Sequence, residues 1–217
     1  MKSSRILIII LTSLLYSCGP TSTSSTTPVT PTGTTDPTTT LADTLVGTWT
    51  TGCLAASPKI RSLNVFDQGL KNSSIQNRVY SDKNCTLEIY ELTYSGNILV
   101  FPPTDAAASY NHLDIIYSDI TITPRDQNTV KGFNAQVMCG FINWTLNLPK
   151  SVIGLSCAGF NNGNPFPATG VTHYDIYRIN GNNFYLGDEF TGAGDKSTNR
   201  PSSIDVVNSW VKSNTAN

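Results

Sequence analysis

Short runs rich in Val, Ile, Thr, Tyr and Phe, set apart by clusters of Gly, Asn, Asp and Pro, recur from residue 45 to residue 188. Runs of that composition, bounded by turn formers, read as β-strands. The pattern predicts strands near 45–53, 60–67, 75–81, 86–94, 97–101, 112–123, 129–138, 141–148, 152–158, 172–179 and 183–188. Asn180-Gly181, between Asp175–Ile179 and Asn183–Leu186, favours a type I′ hairpin turn, and Tyr94-Ser95-Gly96-Asn97 reads as a second turn. Within 112–123, alternation puts Ile116, Ile120 and Ile122 on one face and Asp119, Thr121 and Thr123 on the other, the mark of a sheet wetted on one side. Only the tail, Ser203 to Lys212, has the makings of a short helix, with Val206, Val207, Trp210 and Val211 as its docking face. Many short strands in succession predict an all-β fold: a single antiparallel up-and-down barrel, with a β-sandwich as the alternative.

Residues 1–17 are of another kind. Lys2 and Arg5 precede Ile6 to Leu15, an apolar run interrupted only by Thr12 and Ser13. A membrane-crossing helix needs about 20 apolar residues, so this run reads as a removed signal segment. It ends in Leu15-Tyr16-Ser17-Cys18, which resembles the lipobox of bacterial lipoproteins, with Tyr16 departing from the small residue usual at its position. The resemblance implies a diacylglycerol on the Cys18 thiol, cleavage before Cys18 and an acyl chain such as palmitate on the new amino group. It thus implies a lipid-anchored protein of the cell envelope, with the membrane as a partner. More than one acyl chain gives firm anchoring, at about 0.8 kcal/mol per buried CH₂. Gly19, where an Asp would signal inner-membrane retention, implies the outer membrane in a cell that has one.

With Cys18, residues 18–44 form the expected tether. Of the 26 positions from 19 to 44, 15 are Ser or Thr and four are Pro (Pro20, Pro28, Pro31, Pro37), with no aromatic residue. Such a segment cannot bury enough apolar surface to offset its ordering entropy. It reads as a spacer reaching ~30 Å as a coil, and its Thr-rich, Pro-containing composition is that of O-glycosylated stalks.

The barrel domain is expected over 45–202, followed by the tail 203–217. Without Lys2 and Arg5 the chain has 12 basic residues against 15 acidic, and no basic patch. Nucleic acid is therefore not an expected partner.

Leu45-Val46-Gly47-Thr48-Trp49-Thr50 carries Gly-x-Trp at the start of the first strand. It resembles the opening of the calycin folds: lipocalins, the avidin group and certain bacterial protease inhibitors. The resemblance implies that Gly47 and Trp49 form the barrel-closing signature and that a basic residue packs across the Trp ring, Arg178 or Arg200. A looser likeness to Cys-containing barrel domains of bacterial lipoproteins rests on Gly47-Thr48-Trp49 followed by Cys53, on Tyr80-Ser81-Asp82 before Cys85, and on Tyr174 to Ile179.

After processing, Cys53, Cys85, Cys139 and Cys157 remain, and an even number in an exported domain reads as disulfides. Of three pairings, Cys53–Cys85 and Cys139–Cys157 join segments near in sequence, the second flanking an expected hairpin. A zinc site lacks C-x-x-C and nearby histidines, so no metal is expected. His112 and His173 are the only histidines and read as strand residues. Glu88 and Glu91, at odd spacing on a strand, are expected on opposite faces. Asp188-Glu189 and Asp195 sit in a Gly-rich loop that does not match the EF-hand pattern and reads as solvated. Phe160 and Phe166 fall in an exposed loop, placed to line a barrel mouth or to cover the core. There is no G-x-S-x-G elbow, H-E-x-x-H or P-loop. No cofactor or catalytic residue is expected. The expected function is noncatalytic: a lipocalin-like barrel that takes a small ligand or a partner protein. The alternative is a surface structural or interaction protein, adhesin-like and without a ligand pocket.

Overall fold

Eight antiparallel strands close on one another in a ring, as the all-β, up-and-down barrel reading expects. The computed structural model describes Leu41 and residues 44–65, 69–105, 107–188 and 194–213. The signal segment, Cys18 and nearly all of the tether lie outside the described residues. The strands are β1 (Gly47–Thr50), β2 (Lys59–Val65), β3 (Ser73–Tyr80), β4 (Glu88–Phe101), β5 (Asn111–Pro124), β6 (Lys150–Ser151), β7 (Thr172–Asn180), β8 (Asn183–Leu186) and β9 (Trp210–Lys212). The ring runs β1-β2-β3-β4-β5-β7-β8-β9 and back to β1, with β6 added to the far end of β5. The seam is sewn by β9, where Trp210 pairs with Phe184 and Lys212 with Trp49. The tail is thus a barrel strand rather than a helix, and the barrel runs past residue 202. Trp210 is buried, while Val206 and Val207 are exposed, so the expected docking face does not form.

Two cores lie inside this frame. The first fills one end of the barrel with Leu45, Trp49, Leu63, Val65, Ile98, Val100, Leu113, Tyr177, Phe184 and Trp210. The Phe184 ring touches Trp49, Tyr177 and Trp210 at centroid distances of 5.6, 6.0 and 5.9 Å. Buried indoles need a partner for their N–H, and Trp49 Nε1 donates to the Leu45 carbonyl at 2.9 Å. The second core belongs to the insert between β5 and β7, where Phe133, Met138, Trp144, Val152, Cys157 and Phe166 pack on Ile120 and Ile122 of β5.

The insert departs most from the sequence reading. Residues 129–138, expected as a strand, lie mostly in helix α1 (Gln127–Ala135). Asp126 caps it, accepting from the backbone N–H groups of Asn128 and Thr129, a strong helix-start signal. Val130 and Phe133, three apart, are its buried face. Residues 141–148 and 152–158 contain no strand of their own, only turns and the isolated bridge Ser156–Pro165. Consequently no hairpin lies between Cys139 and Cys157.

β4 is long because a bulge replaces the break that the sequence suggests. Tyr94 to Asn97 make no turn: β4 runs through them, and the register slips between Ser95 and Gly96, leaving Ser118 of β5 unpaired. An extra residue reverses the alternation. The buried aliphatic and aromatic set of β5 therefore runs Leu113, Ile115, Tyr117 and then Ile120, Ile122, with Ile116 on the other side. At the Tyr174 to Leu186 hairpin, Asn180 pairs with Asn183, so the turn is Gly181-Asn182. Its φ is positive at Gly181 (59°) and not at Asn182, which is the type II′ pattern rather than type I′.

Candidate binding site at the barrel mouth

The aromatic plug fills only one end of the barrel. The other end holds a cavity of about 550 Å³. Its walls follow from strand periodicity, since residues two apart on a strand share a face. β2 contributes Lys59 and Arg61, β3 Ile75 and Asn77, β5 Ile115 and Tyr117, and β7 His173 and Asp175; Tyr94, Leu186 and the insert segment Pro165-Phe166-Pro167 complete the lining.

Polar and apolar walls are segregated. Arg61 stands at the floor, its guanidinium 4.9 Å from the Trp210 ring centroid, with Nε donating to Asn77 Oδ1 at 3.2 Å. β2 and β7 are four strands apart in either direction round the ring, so Lys59 and Arg61 face His173 and Asp175 from opposite walls. Asp175 is buried, and its Oδ1 accepts from the backbone N–H groups of Ile176 (2.7 Å) and Gly187 (3.1 Å). Backbone donors of this kind let a carboxylate stay inside a wall. Between the charged walls, Tyr94 and Tyr117 lie 5.7 Å apart, and Tyr94 meets Phe166 at 6.4 Å.

The roof comes from the insert. Gly154 N–H donates to the Pro167 carbonyl and Phe166 N–H to the Leu155 carbonyl, both at 2.9 Å. The Cys139–Cys157 disulfide staples the same insert. A smaller cavity of about 280 Å³ adjoins, sharing Lys59, Arg61 and Leu186 and adding Leu54, Asp188, Asp205 and Asn208.

The residues singled out from sequence fall in several places. Cys53–Cys85 and Cys139–Cys157 are both bonded as expected, with Cα–Cα distances of 5.8 and 4.3 Å. Gly47 lies at φ 125°, and a Cβ there would come within 2.9 Å of Lys212 Cε. Trp49 sits in the plug. The cation over its ring is Lys212, 5.1 Å from the centroid; Arg178 lies over Tyr185 and Arg200 over Tyr174 instead. Phe160 packs against Tyr90 and Phe133 in the insert core, while Phe166 reaches the cavity.

Glu88 and Glu91 share a face after all. The bulge at Ile89, where Val79 pairs with Tyr90 and Tyr80 with Glu88, reverses their parity, and Arg125 bridges both at 3.4 and 3.2 Å. Burial raises the Glu88 carboxyl above its ordinary range despite that bridge. His112 stacks on Tyr110 outside the cavity; burial and the Arg200 charge hold its pKa below 6.5. Asp195, at the rim, accepts from Asn199 Nδ2 at 2.9 Å, and that hydrogen bond lowers its pKa. Glu189 of the same Gly-rich loop lies outside the described residues. Among the described residues, no three His, Cys, Asp or Glu side chains converge as a metal site.

Sequence reasoning missed Lys59, Arg61 and Asp175. The signal was there as Lys59-x-Arg61 and His173-x-Asp175, charged or polar positions at strand spacing. Which of the two faces turned inward depended on the register. No protein-family model matches this chain, and no curated protein does.

Proposed function

We propose that this chain is a noncatalytic lipoprotein of the cell envelope, anchored through Cys18, whose barrel binds a small ligand in its mouth. The observation that carries the reading is the half-filled barrel. Aromatic rings plug one end, and about 550 Å³ stays open at the other between charged and aromatic walls. Cavities of about 300–1,000 Å³ with a few placed polar groups suit small organic ligands. Eight strands leave room inside for just one such molecule.

The Ser/Thr-rich segment 19–44 would hold the barrel away from the membrane while leaving the mouth accessible. Arg61, Asn77, His173 and Asp175 would orient the polar end of the ligand, and Tyr94, Tyr117 and Phe166 would cover its apolar part.

Native mass spectrometry on protein isolated from its own organism, with both disulfides intact, tests the reading. The expected result is a retained small-molecule adduct that is lost in Ile115→Trp, which fills the cavity from the β5 wall. An apo mass in the wild type, or an adduct that the filled variant keeps, would overturn it. Mass spectrometry of the Cys18 peptide tests the anchor separately; an unmodified thiol would remove it.

A further inference from the structure

The charges that line the mouth cavity are sorted by sign. Lys59 and Arg61 stand on β2; Asp175 stands on β7, with Asp195 at the exposed rim, and His173 shares the β7 wall. The described lining holds no other charged side chain. From β2 to β7 by way of β3, β4 and β5, the wall carries Ile75, Tyr94, Ile115 and Tyr117. By way of β1, β9 and β8, the described lining adds only Leu186. The cavity thus has a basic wall, an acidic wall and one apolar, aromatic arc that joins them.

Both charged walls are held in place. The Arg61 guanidinium lies over the buried Trp210 ring, and its Nε donates to Asn77, its partner across the β2–β3 ladder. A guanidinium presents its N–H donors in one planar fork, a geometry that matches a carboxylate. On the other side, Asp175 Oδ1 is anchored by the N–H groups of Ile176 and Gly187. A Cβ at Gly187 would come within 2.5 Å of that oxygen, so only glycine lets the backbone close on it. Asp188 and Asp205 line only the adjoining smaller cavity, where the Asp205 carboxylate accepts from the N–H groups of Val207 and Asn208.

The opposed signs decide among ligand classes. A monoanion at Arg61 would share the cavity with Asp175 and Asp195, and a monocation at Asp175 would share it with Lys59 and Arg61. Like charges in one site are costly, whereas complementary potentials fix orientation. A wholly apolar ligand would take water from both walls and return no hydrogen bond. A ligand with an acid at one end, an amine at the other and an apolar body between them meets each wall with its opposite.

We propose that the cavity takes an amphoteric ligand of the class of a short peptide with an aromatic side chain. Its carboxylate lies on Arg61 and Lys59, its ammonium on Asp175 and Asp195, and its apolar body along the arc of Tyr94 and Tyr117. The inference rests on the small-ligand reading and deepens it by giving the ligand two charged ends.

Calorimetric titration of the protein, both disulfides intact, with the dipeptide phenylalanyl-leucine tests the proposal, against the N-acetyl and the C-terminal amide forms of the same dipeptide. The free dipeptide should bind, and blocking either end should weaken binding by about tenfold or more. Arg61→Gln should erase the preference for the free acid over the amide and keep the preference for the free amine. Asp195→Asn, at the exposed rim, should narrow the amine preference alone. Equal binding of the three forms by the wild type, or tighter binding of a blocked form, would overturn the proposal and leave the cavity reading intact. Binding of none of the three would overturn it as well; the presence or absence of a retained adduct on the native protein then decides separately whether the cavity reading stands.

Discussion

Arg200 ties β5 to β7. Its Nη1 pairs with Asp114 Oδ1 at 2.6 Å and donates to the Asp175 carbonyl at 2.8 Å, while its plane lies 5.1 Å over Tyr174. Both partners of the ion pair are largely buried. Removing one partner of a buried pair leaves the other charge uncompensated, at about 3–5 kcal/mol. Arg200→Ala should therefore lower unfolding stability by about 3 kcal/mol in urea titration. Arg200→Lys should recover only part of that loss, because a point charge cannot serve carboxylate, carbonyl and ring together. The same cation bears on His112. Its pKa is lowered in the fold, so the unfolded chain binds more protons, and stability falls as the pH drops below 6.5. His112→Gln should flatten that part of the stability–pH curve, measured by urea midpoints between neutral and mildly acidic pH; an unchanged slope would rule His112 out as a source. At this scale the sequence conveyed residue types better than partners. That a cation covers Trp49 was legible; that it is Lys212 was not, because β9 is three residues long and gives no periodicity.

Gly96 decides whether β4 and β5 can stay paired through their bulge. A Cβ there would collide with the Ile116 carbonyl oxygen, a backbone atom that cannot swing aside. Gly96→Ala should cost about 2–3 kcal/mol, as overpacking against backbone does, and the loss should show as a lower denaturant midpoint. Gly181→Ala, at φ 59° in an open turn, should cost about 1 kcal/mol, from the left-handed conformation alone. Elements whose alternation stays intact, such as β2, β3 and β7, were readable to within two residues. The failures have local causes. Ile89 and Ser118 each reverse the parity of the strand that follows, which placed Glu88, Glu91 and Ile116 on the wrong faces. In α1, Val130 and Phe133 look like strand residues by propensity, but Asp126 and their three-residue spacing settle the matter the other way, with tertiary packing outweighing propensity.

For the whole molecule, the two disulfides have different tasks. Cys53–Cys85 ties the segment after β1 to the one before β4, and Cys139–Cys157 staples the insert. For sequence separations of 32 and 18, the chain-entropy model gives about 4 and 3 kcal/mol. Replacing Cys139 and Cys157 by Ala should cost about 3 kcal/mol and loosen the roof segment Pro165-Phe166-Pro167, seen as faster amide exchange at Phe166. Faster exchange spread evenly over the barrel would mean that the insert and barrel unfold as one unit. The barrel itself was legible because strand composition and turn residues repeat through most of the chain. The cavity was not, because which of two alternating faces is enclosed depends on closure. That closure has a consequence for the order of events during synthesis. The strand that completes the ring, Trp210–Lys212, emerges from the ribosome only after every strand that it must join. Until then β1 and β8 stand as open edges, and the ring over Trp49 is missing one wall. A chain ending near residue 205 would therefore not be a slightly weaker barrel. It would be an open sheet with two unpaired borders, disposed to pair with its neighbours instead of with itself.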